Sequence, residues 1–90
     1  MMVVHDRREG AAVAAALLRV DVDELYAHSI DVPEIDAFFY WQPIRGGAHL
    51  LVARDGSALF AISSLALADM IEPFRNGRRT DPALFDRWVG

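Results

Sequence analysis

Residues 37–62 read AFFYWQPIRGGAHLLVARDGSALFAI, and the alternation and breaks in this stretch decide the fold. From Ala37 to Ile44 the chain is rich in aromatic and branched side chains, the composition of a strand. Its apolar residues fall on both alternating faces, Phe38 and Tyr40 on one, Phe39 and Trp41 on the other. A strand of that kind belongs at the centre of a sheet, or between a helix on one side and a partner on the other. Gly46 and Gly47 break the pattern, which resumes from His49 to Arg54 as another strand. Asp55-Gly56 then separates that run from Ala58 to Ile62. An Asp-Gly pair between two apolar runs is a strong hairpin signal, so these two strands are predicted to be antiparallel neighbours. Gly46, Gly47 and Gly56 are read as structural residues, because glycine relieves backbone sterics at turns and bulges.

N-terminal to this stretch, residues 6–19 predict a helix. Asp6 can cap it, Glu9 stands three residues on, and the alanines and leucines have high helix propensity. Val13, Leu17 and Leu18 form its apolar side, with small alanines allowing close approach, and Gly10 weakens its first turn. The aromatic and branched residues around Leu25 to Ile30 predict the first strand, and Pro33 with Glu34 the connection to the next. C-terminal to the stretch, Ser63 and Ser64 are candidate caps for a helix carrying Leu67, Met70, Ile71 and Phe74 on one face. Pro73 is expected to kink or shorten its last turn, and Asn76-Gly77 to end it. Thr80 or Asp81 as cap and Pro82 at the first helical position signal a short final helix, with Leu84, Phe85 and Trp88 docking inward. The expected fold is a single α+β domain over residues 1–90. It has an N-terminal helix, a four-stranded mainly antiparallel sheet, a C-terminal helix and a short terminal helix.

The 90 residues are 53% hydrophobic and 24% charged, enough for one core at the lower end of what folds alone. Nine arginines and no lysine face thirteen carboxylates, for a net charge of -4. A nucleic-acid partner is therefore disfavoured, since phosphate binding needs a basic surplus. With no cysteine there are no disulfides, thiolate metal sites or cysteine nucleophiles, and a reducing cytoplasm is the expected location. The apolar run Ala11 to Leu18 is far shorter than the roughly 20 residues that span a bilayer, so neither a membrane partner nor a targeting segment is expected. His5, His28, His49, Ser29, Ser57, Ser63 and Ser64 fit no nucleophile elbow, HExxH pair or phosphate loop. The expectation is a protein that is not an enzyme and holds no metal or cofactor.

Charge marks the candidate binding residues. Between Arg19 and Arg45 lie Asp21, Asp23, Glu24, Asp31, Glu34 and Asp36, with no arginine among them. Such a segment can steer a basic partner and occupy a cleft meant for phosphates, or it can simply be a solvated loop face. Tyr40 and Trp41 are the candidate aromatic anchors beside it, although a domain this small also needs aromatics for its core. Arg75, Arg78 and Arg79 are expected to serve the end of the preceding helix.

Several of these features occur together in one known family. The alanine-rich first helix, the aromatic strand Phe38-Phe39-Tyr40-Trp41, the Gly46-Gly47 step and the run Leu50-Leu51-Val52-Ala53-Arg54-Asp55-Gly56 lead into a capped helix. In this the chain resembles the bacterial immunity protein 35 family, also called YrhB-like, from about Val3 to Phe74. The tail from Thr80 to Gly90 lies beyond the likeness. The resemblance implies a cytoplasmic, non-catalytic antidote that binds and neutralises a cognate protein toxin. The alternative is a homo-oligomeric structural or regulatory module, a homodimer in which the aromatic strand pairs with its copy.

Overall fold

The computed structural model describes residues 3–62 and 64–85. Ser63 and Trp88, assigned above to a cap and to the core, lie outside the described residues. Helix α1 (Arg7–Leu18) starts as expected: the Asp6 carboxylate accepts from the Glu9 N–H at 2.8 Å. The Glu9 carboxylate reaches back to the His5 N–H at 2.7 Å, and this bond, then the His5 ring, holds its carboxyl below the usual range. The face that α1 buries is centred on its small residues more than on Val13 and Leu17. Gly10, Ala11, Ala14, Ala15 and Leu18 are buried, while Val13 and Leu17 are half-buried at the flank.

Small residues on the buried face let α1 lie close to the sheet, and Gly10 is where this matters most. The Tyr40 hydroxyl donates to the Arg7 carbonyl at 2.6 Å, passing directly beneath Gly10. A Cβ on Gly10 would stand 2.1 Å from that hydroxyl oxygen. The glycine that weakens the helix by propensity is thus the one that admits Tyr40.

The first strand begins later than expected, because residues 22–27 form a second helix. Asp21 caps α2 (Val22–Ala27) by accepting from the Glu24 N–H, Asp23 and Glu24 occupy its favourable first turn, and Leu25 is buried. The chain then enters β1 (Ser29–Val32), a 3-10 turn (Pro33–Ile35) and β2 (Ala37–Trp41). Strand β2 stops at Trp41 rather than Ile44, since Gln42 and Pro43 lead into the turn. Strands β3 (Ala48–Ala53) and β4 (Ala58–Ile62) follow, and the sheet is an antiparallel meander in the order β1-β2-β3-β4.

Both glycine turns are built on backbone geometry. Gly46 adopts φ 73°, Gly47 N–H closes the turn on the Ile44 carbonyl at 3.0 Å, and a Cβ on Gly47 would meet the Gln42 carbonyl at 2.8 Å. Between β3 and β4, Gly56 takes φ 85° and the Asp55 carboxylate accepts from the Ser57 hydroxyl and N–H. Those bonds, the hydroxyl first, hold the Asp55 carboxyl below its ordinary range.

The two faces of β2 serve two layers. Phe38 and Tyr40, with Leu50 and Val52 across the ladder, pack under α1 and Leu25. Phe39, Leu51, Leu59 and Ala61 pack against Met70 and Phe74 of α3 (Leu67–Arg75) on the other face. Helix α3 runs through Pro73 to Arg75 instead of stopping short, and Ala66, without a side-chain bond, takes the capping position expected of the serines. Asp69, whose carbonyl loses its i+4 donor to Pro73, lies on the exposed surface where solvent can replace it. In the tail, Asp81 caps a turn of helix at 83–85 by accepting from the Ala83 N–H at 3.0 Å. Thr80 is bound elsewhere, along the edge of β4, donating its N–H to Ala58 and accepting from Phe60 N–H.

Gly10→Ala is expected to cost about 1–3 kcal/mol in urea denaturation, as overpacking does. Combined with Tyr40→Phe, it should cost less than the sum of the two single changes, because removing the hydroxyl clears the nearest contact. Additive losses would contradict this packing.

Candidate interaction surface

The six carboxylates do not form one bare anionic face. Asp21 is occupied as the α2 cap. Asp23 pairs with Arg8 at 2.8 Å, Asp31 with Arg7 at 3.2 Å and Asp36 with Arg54 at 3.0 Å. The segment contains no arginine, yet folding brings three to it from α1 and from the end of β3. Exposed pairs of this kind add little stability, about 0–1 kcal/mol each, but they cancel charge. Glu24 and Glu34 are exposed, and among the described residues their carboxylates make no ion pair.

Arg7 organises the neighbourhood of β1. Its guanidinium donates to the Ser29 hydroxyl at 2.8 Å and the Ser29 carbonyl at 3.4 Å, and lies 4.8 Å from the Tyr26 ring centroid. Arg8 covers the same ring at 5.0 Å. Because Trp41 N–H bonds the His28 carbonyl, the next pair, Ser29 and Tyr40, turns its backbone groups away from the partner strand. Arg7 thus blunts the free edge of β1 as Thr80 blunts that of β4.

The two aromatic candidates separate cleanly. Tyr40 is 0% exposed, and burial pushes its phenol far above the ordinary range, so it stays a protonated donor to Arg7. It is a core residue and cannot contact a partner. Trp41 is half-buried, at the end of β2 on the face that α3 covers only in part. It stacks on Phe39 at 5.7 Å and meets the His28 ring edge-on at 6.0 Å. His49 lies opposite it in register on β3 and packs edge-on to Phe39 at 5.3 Å. Beside this row, Ile30 is 44% exposed and Ile44 62%.

Sequence reasoning placed His28 and His49 apart; the sheet sets them on either side of Trp41. The signal was present in the spacing, since the turn from Gln42 to Gly47 fixes His49 across from Trp41. Both rings also serve the scaffold, through Nδ1 bonds to the Glu24 and Leu65 carbonyls, each at 2.9 Å. His5 is bonded to Glu9, and Ser29 and Ser57 are bound to Arg7 and Asp55. Ser64 lies exposed before α3. Among the described residues, no three metal-ligating side chains converge. Of the C-terminal arginines, Arg75 pairs with Glu72, and Arg79 covers the Phe74 ring at 3.6 Å while donating to the Phe74 carbonyl. Arg78 is exposed. The arrangement sets an aromatic row beside exposed aliphatic neighbours, with two carboxylates, Glu24 and Glu34, that make no ion pair among the described residues.

No family model, curated protein or solved structure matches the chain.

The contrast between the two aromatics is testable by thermal and urea unfolding. Tyr40→Ala should cost about 3–5 kcal/mol, as loss of a buried aromatic does, and leave little folded protein. Trp41→Ala should remain folded with a substantially smaller loss. Equal destabilisation would place Trp41 in the core and remove it as an anchor.

Proposed function

We propose that the chain is a non-catalytic immunity protein that binds a cognate bacterial toxin in the cytoplasm and neutralises it through the surface around Trp41. The observation that carries the reading is the half-buried Trp41, set between His28 and His49 with Ile30 and Ile44 exposed nearby. A partly covered tryptophan with aliphatic neighbours is the usual make-up of an interface hot spot, where a partner excludes the remaining water. The net charge of -4 and the unpaired Glu24 and Glu34 favour approach by a basic partner. The likeness to the immunity protein 35 family rests on residues of this region: the aromatic strand, its Trp41 and the Gly46-Gly47 turn that follows.

The homo-oligomeric alternative requires a second copy on the same surface. The aromatic strand cannot pair with its copy, because β2 lies inside the sheet with β1 on one edge and β3 on the other, and Arg7 and Thr80 already engage groups on the two outer strands.

The test is growth of bacteria that express the chain together with the products of the genes flanking its own, one at a time. The expected result is that one product arrests growth alone, that the wild-type chain restores it, and that Trp41→Ala, shown to be folded, does not. Failure to protect against any of them, with concentration-dependent self-association of the chain, overturns the reading in favour of the oligomeric module.

A further inference from the structure

Arginine, ring and carboxylate recur together in this molecule. Arg8 lies over Tyr26 and pairs with Asp23, Arg7 lies over the same ring and pairs with Asp31, and Arg54 lies 5.0 Å from the Phe38 centroid and pairs with Asp36. Each guanidinium finds a π-face and an anion at once, which is the environment its planar, weakly hydrated cation prefers. A tryptophan and a glutamate meet as lining residues of one cleft beside the end of β2. Val20, Glu24, Leu25, Trp41, Pro43 and Ile44 line it. Among the described residues no arginine lies over Trp41 and none pairs with Glu24.

We propose that this cleft receives an arginine side chain of the partner, its stem against Ile44 and Pro43 and its guanidinium between Trp41 and Glu24. The size fits that occupant. The cleft holds about 40 Å³, room for the end of one side chain, whereas small-molecule sites run to several hundred. Its chemistry fits as well: apolar walls suit a methylene stem, and an exposed glutamate among the lining residues suits a charged head. Neutral aliphatic side chains would fill the walls and leave Glu24 without a counter-ion.

The proposal deepens the immunity reading and rests on it for the arginine's owner, but its test uses the isolated chain. The probe is N-acetylarginine amide, with the isosteric neutral N-acetylcitrulline amide as control. The readout is the indole N–H resonance of Trp41 in the ¹⁵N-labelled protein, identified by its loss in Trp41→Phe. The arginine probe should shift that resonance saturably, with a dissociation constant on the order of ten millimolar. Citrulline, or Glu24→Gln, should weaken binding by about tenfold or more. No saturable shift, or equal shifts for the two probes, overturns the proposal. Probe binding without growth protection supports the cleft while removing the toxin. Protection that Glu24→Gln leaves intact, with no probe shift, removes the cleft while leaving the antidote.

Discussion

The hydrogen bond from the Tyr40 hydroxyl to the Arg7 carbonyl, in space that only a glycine at position 10 leaves open, fixes where α1 sits on the sheet. Much else follows from that placement. With the first turn of α1 anchored over β2, the Arg7 guanidinium reaches Ser29 and Asp31, and Arg8 reaches Asp23. These contacts tie α2 and β1 to α1. The short helix that carries Glu24 is therefore held beside the end of β2, and the cleft at Trp41 exists because of it. Burial keeps the Tyr40 phenol protonated across the working pH range, so the anchor does not titrate away.

Strand parity divides the aromatic run between an enclosed face and a partly open one. Phe38 and Tyr40 point under α1 and are enclosed, while Phe39 and Trp41 point to the face that α3 covers. Helix α3 reaches Phe39 with Met70 and Phe74 but leaves the Trp41 end only half-buried. A single pentapeptide thus closes the core with one set of rings and presents a ring at the surface with the other.

The strands that follow Ala37 were legible because period-two alternation and the Asp55-Gly56 turn are local signals. Helix α2 was not read, although Asp21 with Glu24 three residues on is the same capping signal that identified α1; the short apolar run around Leu25 and Tyr26 outweighed it. On α1 the alanines expected to allow close approach are buried with Leu18, whereas Val13 and Leu17 only flank the core, because the approach to Tyr40 selects small residues. For the candidate surface, the acidic run was visible but its neutralisation was not, since Arg7, Arg8 and Arg54 meet it only through tertiary packing. The choice between Tyr40 and Trp41 as anchor likewise needed to know which face α1 covers.

The proposed binding at the Trp41 end of the sheet leaves the α1 face closed. The direct test is amide hydrogen exchange of the chain, alone and in complex with the toxin proposed as its partner. Slowed exchange is expected at Val22–Ala27, at Ile30 and from Trp41 to His49, with α1 unchanged. Protection confined to α1 and residues 78–85, or none anywhere at saturating partner, would contradict it.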